Sequence, residues 1–196
     1  PVPFAEAIPF WDVPFFRNFI QKVVGLESGW VSGTDYKVFE IPASGGSLAF
    51  GSPICFEDAF PDVCRRFYLR GADVLINLTN ISWSKTESAE IQHWAAARFR
   101  AVESRKTLVR STNGGLSCVV DPYGRNIASL PLFEPRALYV EVPVYDQGRP
   151  TAYVLLGDWF GLGALLLFAL AAVIIMVGEA LPASRRRRRA WAWSSI

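Results

Sequence analysis

Apolar and polar positions along this chain fall into blocks whose period changes several times. Residues 1–25 are rich in proline and aromatics. The prolines argue against one continuous helix before Val13, while residues 15–24 carry the apolar face of a short helix. The composition of residues 36–41 predicts a strand, Ser44-Gly-Gly46 punctuates it as a turn, and the apolar run 47–50 leads into Gly51-Ser-Pro53. Residues 60–70 predict a helix with Pro61 in its first turn, where proline is tolerated, and Gly71 ends it. Residues 73–78 are an apolar run of strand length, 79–88 a polar loop, and 90–105 a helix with Ile91, Trp94, Ala95, Phe99 and Val102 along one stripe. Strands at 107–112 and 116–120 flank the Asn113-Gly-Gly115 turn. Asp121-Pro-Tyr-Gly124 is a second turn by composition, and strands follow at 126–130 and 137–142. Helices alternating with strands, then a run of strands, predict an α/β layer fold over residues 1–155.

Beyond that point the pattern changes in kind. From Trp159 to Gly178 every residue is apolar or glycine. A helix of that length rises about 30 Å, the hydrocarbon thickness of a bilayer. The sequence therefore predicts one transmembrane helix within 156–180, followed by a basic tail, 181–196. That tail holds five consecutive arginines, 185–189, with Trp191 and Trp193 beyond them. Clustered arginines mark the cytoplasmic flank of a span, and tryptophans anchor at its interface. The expected topology places 1–155 on the far side of the membrane.

The tail also corrects the charge. The chain has 20 basic and 18 acidic residues; taking away the five arginines leaves 15 basic against 18 acidic. No basic surface asks for nucleic acid, and the arginine run fits anionic lipid headgroups. Three cysteines, Cys55, Cys64 and Cys118, cannot all pair, so at least one thiol stays free in an oxidising compartment. One histidine and scattered cysteines offer no metal-ligand spacing, so neither a metal nor a cofactor is expected.

The stretch Phe50-Gly-Ser-Pro-Ile-Cys-Phe-Glu-Asp58 holds the candidate chemistry. A strand that ends in Gly and Pro and runs into a helix start is a sharp turn, able to lift one side chain into a pocket as a nucleophile elbow does. Cys55 at that turn is a candidate nucleophile for acyl chemistry; the alternative is a buried small hydrophobe. Glu57 is a candidate to orient a base or accept a proton, or else a solvated or capping acid. His93, on a helix beside Trp94, has the setting of a structural histidine.

The order of elements, together with Val2-Pro-Phe-Ala-Glu6, Ile54-Cys-Phe-Glu57, Asn80-Ile-Ser-Trp83, Gln92-His93, Arg110-Ser-Thr-Asn-Gly114 and a closing apolar helix, resembles the nitrilase superfamily of carbon–nitrogen hydrolases. Within it the chain is similar to the C-terminal part of the apolipoprotein N-acyltransferase family. The resemblance implies a partial nitrilase-like α-β-β-α sandwich and a bacterial inner-membrane enzyme with a periplasmic catalytic domain. Such an enzyme moves a fatty acyl chain from a phospholipid to the amine of the diacylglyceryl-cysteine of a lipoprotein, through a cysteine thioester. Cys55 maps onto the nucleophile of a Glu-Lys-Cys triad whose lysine and glutamate would fall before Pro1. Glu57 and Glu6 map onto supporting acids, and Phe56, Trp83 and Asn80 onto substrate-facing positions. Lys85 sits in a different loop and is not assigned to the triad.

The chain begins at Pro1 without methionine, which suggests part of a longer protein that is inactive alone. Phe56 stands where the family has tyrosine, Ile81 and Ser84 replace a polar and an aromatic residue around Trp83, and Ala5 replaces a glycine. These departures bear on substrate preference. Two other functions stay open: a membrane-tethered amidase that discharges its acyl-enzyme to water, and a lipid- or lipoprotein-binding fragment without turnover.

Overall fold

In a computed structural model the chain is described over residues 13–24, 33–44, 46–82, 84–145 and 148–180. It divides into two compact units, residues 1–157 and 158–196. In the first, helix α1 (Pro14–Val24) precedes a six-stranded sheet whose spatial order is its sequence order, β1 to β6. Strands β1 (Val38–Ala43) and β2 (Gly46–Gly51) form an antiparallel hairpin, with Phe39 stacked on Phe50 at 5.4 Å across the pair. Two crossovers follow. Helix α2 (Pro61–Leu69) carries the chain to β3 (Val74–Asn80), parallel to β2. Helix α3 (Glu87–Ser104) carries it to β4 (Leu108–Asn113), parallel to β3 in a register that runs from Leu75↔Leu108 to Asn80↔Asn113. Strands β5 (Cys118–Val120) and β6 (Asn126–Ser129) return antiparallel. This is the nitrilase-like α/β fold in part: among the described residues there is one sheet and its helical layer.

The core lies between the sheet and α2 and α3. Val63, Cys64 and Phe67 of α2 and Ala97 and Ala101 of α3 pack on Leu75, Leu108, Cys118 and Val120 of the strands. Gly51 shows how tightly. A Cβ there would lie 2.6 Å from the Phe67 ring, so this glycine is required by close approach of a helix to a strand end rather than by backbone conformation.

Two expectations fail. Residues 137–142 form no strand. Pro131, Pro135 and Pro143 take ladder donors out of the segment around them, and the chain is fastened by a hydrogen bond from the Thr107 hydroxyl to the Pro143 carbonyl, 2.5 Å. The apolar stripe of α3 is also not its buried face. Phe99 is 55% exposed and Ile91 37%, whereas Glu90, His93, Ala97, Arg100, Ala101 and Ser104 are buried. Glu90, His93 and Arg100 lie inward with Ser84, Asp58 and Glu103 as partners, while Glu87 stays exposed. One short element was not legible: α4 (Ala152–Leu156), capped by the Thr151 hydroxyl, which accepts from the Val154 N–H at 3.1 Å. Val154 closes the core, and Arg65 donates to its carbonyl at 3.0 Å.

The second unit is α5 (Trp159–Ala180). Its stretch Trp159–Gly178 is the one helix among the described residues long and apolar enough to cross a membrane, and none of it is buried in protein. The arginine tail lies outside the described residues.

Candidate active site

The parallel strands β2, β3 and β4 end at one edge of the sheet, and the loops leaving those ends carry the candidate residues. At such an edge, loops from several strands converge where no ladder competes for them. The first is the elbow. After Gly51 the chain stays pinned to β3: the Ser52 hydroxyl donates to the Ile76 carbonyl (3.0 Å), the Leu78 N–H donates to the Pro53 carbonyl (3.3 Å), and Ile54 bridges to Leu78. Cys55 then takes a left-handed backbone, φ 55°, and opens a short 3-10 turn, Cys55–Ala59. Left-handed conformation is unfavourable for a residue with a Cβ and persists only where its surroundings enforce it.

Two side chains enforce it here. Asn77, fully buried in β3, donates its amide to both the Pro53 carbonyl (3.1 Å) and the Cys55 carbonyl (2.9 Å). Glu57 accepts from the Ile54 N–H through Oε2 (2.9 Å) while its own N–H donates to the Ile54 carbonyl (3.1 Å). This buried carboxylate thus caps the elbow, closing it on itself. With its carbonyl drawn toward β3, Cys55 stays half-buried rather than enclosed.

Beneath the elbow lies a charged network. Asp58, fully buried, bonds His93 Nε2 through Oδ1 (2.6 Å) and accepts from Arg110 Nε through Oδ2 (2.9 Å), and Arg110 Nη2 sits 3.3 Å from His93 Nδ1. A guanidinium can only donate. Nδ1 of His93 therefore accepts, and Nε2 carries the proton that goes to Asp58. One buried cation meets one buried anion, with the imidazole as spacer. The network ties the turn after Cys55 to α3 and β4. His93 thus has the structural place its sequence setting suggests. Phe56 stands over it, ring centroids 4.5 Å apart, and edge-on to Phe60 at 6.2 Å. Phe56 is consequently packed on the elbow's support as well as half-exposed beside Cys55.

The other two thiols have a different setting. Cys64 and Cys118 are each about 1% exposed, and no disulfide is formed. Burial pushes the Cys64 thiol well above its ordinary range and that of Cys118 up to about 11. Of the three thiols, Cys55 is the one that is not buried.

Asn80 ends β3 beside Asn113, whose amide donates to Asn80 Oδ1 at 3.3 Å; the Ser82 hydroxyl donates to the same oxygen at 2.8 Å. A pocket of about 390 Å³ opens next to this pair, with Ser82, Thr112, Asn113, Ser117 and Phe133 in its wall. Cys55 does not line it, so the elbow and the pocket are separate features of the same edge. Lys85, left-handed at φ 51°, is exposed in the 81–86 loop. No hydrogen bond or ion pair among the described residues joins it to Cys55. Glu6 and Trp83 lie outside the described residues. No cluster of His, Cys, Asp and Glu among the described residues has the geometry to hold a metal. Sequence reasoning passed over Asn77, Asp58 and Arg110. The signal for two of them was a polar residue inside an apolar strand run, at Asn77 and Arg110, since such a residue has to be satisfied internally.

The chain is 54% identical over 167 residues to apolipoprotein N-acyltransferase 2 of Treponema denticola, covering 85% of this chain and 32% of that protein. It is 46% identical over 170 residues to apolipoprotein N-acyltransferase 2 of Treponema pallidum, covering 86% and 30%. It thus spans about a third of the length of the curated relatives it matches. A solved amidase of the nitrilase superfamily from Nesterenkonia AN1 aligns with 53% of this chain and 40% of its own, at 23% identity and a TM-score of 0.43. The sequence profile described as "Carbon-nitrogen hydrolase" matches residues 9–148. With that match over most of its length, the chain belongs to the carbon–nitrogen hydrolase family.

Proposed function

We propose that this chain carries the nucleophile-bearing part of a membrane-bound apolipoprotein N-acyltransferase, with Cys55 as the nucleophile. The observation that carries the reading is the elbow: a half-exposed thiol on an enforced left-handed residue, at the edge where three parallel strands end, in a chain whose other two thiols are buried. The similarity to the Treponema acyltransferases supports the substrate class, and the apolar helix Trp159–Gly178 supports a lipid surface as the place of work.

The reaction runs in two balanced steps. The Cys55 thiolate attacks the carbonyl carbon of a phospholipid ester; the C–O bond breaks, the lysophospholipid leaves as the alcohol after taking a proton, and a thioester remains on Sγ. The amine of a diacylglyceryl-cysteine then attacks the thioester carbonyl. The C–S bond breaks, the amine proton returns through a base, and the free thiol is restored. A thioester suits this exchange because it is activated toward amines. The base and the oxyanion-stabilising cation are the glutamate and lysine that the family resemblance places before Pro1. In this chain, Asn77 and Glu57 hold the nucleophile's backbone, Phe56 and Asn80 lie on the substrate side, and Trp83 and Glu6 are assigned to substrate contact and active-site support. The catalytic unit lies on the periplasmic side, with the arginine tail in the cytoplasm.

The test uses the protein expressed from its complete coding frame in membranes, supplied with phospholipid and a diacylglyceryl lipopeptide. The wild type should convert the lipopeptide amine to an amide, and Cys55→Ser should lower the rate to background. Release of free fatty acid with an unmodified amine would instead support a hydrolase of this family. For the topology, a reporter fused after Ile196 should behave as cytoplasmic and one within residues 26–46 as periplasmic; the reverse pattern would overturn the orientation.

A further inference from the structure

The segment from Asn80 to α3 leaves the sheet beside the elbow and is fastened more firmly than a polar loop requires. The Ile81 N–H donates to the Asn113 carbonyl (3.3 Å) and the Ser84 N–H to the Ile81 carbonyl (3.0 Å). The Ser84 hydroxyl donates to Glu90 Oε1. Glu90, in the first turn of α3, is fully buried, and its Oε2 has no hydrogen-bond partner among the described residues. Burying a carboxylate is costly, and a neutral or apolar side chain would fill the same space without that cost. The hydrogen bond accepted from Ser84 is what this side chain adds, one that an apolar residue could not make.

The β4–β5 turn fits around this contact. A Cβ at Gly115 would lie 2.7 Å from Glu90 Oε2 and 2.7 Å from Ile81 Cδ1. Gly114, at φ 86°, would place a Cβ 2.8 Å from Ser82 Cα. Both glycines line the pocket at this edge, as does Ser82. Glu90 is therefore the inner end of a clamp that sets the pocket wall and the backbone on either side of position 83.

We propose that Glu90 is a positioning residue: through Ser84 and the Gly114-Gly115 turn it fixes the pocket wall at Ser82, and so governs capture of the acyl acceptor rather than formation of the thioester. The proposal rests on the acyltransferase reading above.

The test compares Glu90→Leu, Glu90→Gln and Ser84→Ala in the complete protein in membranes. Three readouts are taken: KM for a diacylglyceryl lipopeptide, single-turnover acylation of Cys55 by phospholipid, and hydrogen exchange over 81–86. Losing this hydrogen bond should raise KM about 10-fold in Glu90→Leu. Acylation should change less than about twofold, because no atom at Cys55 is altered. Glu90→Gln keeps an oxygen that accepts from Ser84 and should stay near wild type in KM. Ser84→Ala, which leaves the buried acid in place, should shift KM in the same direction and serves if Glu90→Leu does not fold. Unchanged KM in folded Ser84→Ala, or acylation falling in step with thermal stability, would overturn the proposal. If the wild type forms no acyl-enzyme on Cys55, the acyltransferase reading fails by itself. Hydrogen exchange then decides on the clamp: faster exchange at 81–86 in Glu90→Leu but not in Glu90→Gln supports it, and equal exchange in all variants overturns it.

Discussion

Cys55 sits half-buried on a left-handed residue just past the end of β2, whereas Cys64 and Cys118 lie inside the layer between the helices and the sheet. The side chain is the same in all three places. What differs is the structure under it. Cys64 and Cys118 lie in the core, where burial keeps a thiol protonated; Asp58 acts on both in the same direction, and Cys64 donates to the Glu57 carbonyl at 3.7 Å. Cys55 stands above Asn77, Glu57 and the Asp58–His93–Arg110 network, a buried polar base that turns its carbonyl inward and leaves the thiol half-buried. The contrast teaches that one thiol is kept out of the core here by backbone placement, and that the placement is held by Asn77 and Glu57.

The contrast can be broken from below. Asp58→Ala takes away the anion that meets Arg110, whose side chain is fully buried. Removing one partner of a buried ion pair costs about 3–5 kcal/mol. Urea unfolding should show a loss of that size, and native alkylation should spread from Cys55 to Cys64 and Cys118. A loss well under 1 kcal/mol would mean that the network does not hold the elbow to the core.

It can also be broken by pH. The Cys118 thiol is pushed from an ordinary 9.0 up to about 11 by burial. Between those values the unfolded chain has released a proton that the folded chain keeps, so unfolding is favoured as pH rises. The stabilisation is fully present below pH 9 and is lost toward pH 11, by at most about 2–3 kcal/mol. Burial acts on Cys64 in the same direction. Denaturation at a series of pH values from 8 to 11 should show this decline, and Cys118→Val should make it shallower, leaving the part due to Cys64. An equal slope in that variant would assign the decline to other groups.

These two tests rest on residues of unequal visibility in the sequence. The elbow was legible because Gly, Pro and Cys at a strand end leave few backbone options, and the Asp121 turn because the aspartate accepts from the Tyr123 and Arg125 N–H groups at 2.8 and 2.9 Å, as Asp-Pro-Tyr-Gly suggests. The strand–helix alternation from β2 to β4 was legible from period alone. The inward face of α3 was not. Glu90, His93 and Arg100 look like surface residues; Ser84 and Glu103 partner two of them from nearby in the chain, while His93 is held inside by Asp58 from the elbow. Gly51 was readable as a breaker, but its reason, the Phe67 ring, belongs to tertiary packing. Local pattern reports what a segment can do alone; it does not report partners supplied from 35 or 52 residues away, as for His93 and Arg110 on Asp58.

A smaller perturbation sharpens the contrast instead of abolishing it. Asn77→Ala removes the donor to the Pro53 and Cys55 carbonyls and should cost about 1–3 kcal/mol. Cys64 and Cys118 should stay protected in the native state, while the alkylation rate of Cys55 changes because its left-handed backbone is no longer held. Equal rates in wild type and Asn77→Ala would remove Asn77 from the account of the elbow.

The central claim is that Cys55 is the nucleophile, and locating the acyl group tests it most directly. The complete protein is incubated with phospholipid and no acceptor, quenched in acid, digested, and the peptides weighed before and after hydroxylamine. The account predicts one fatty acyl group, labile to hydroxylamine, on the peptide containing Cys55, and none on those containing Cys64 or Cys118. An acyl group on either buried thiol, or an acyl-enzyme of unchanged yield in Cys55→Ser, would contradict it.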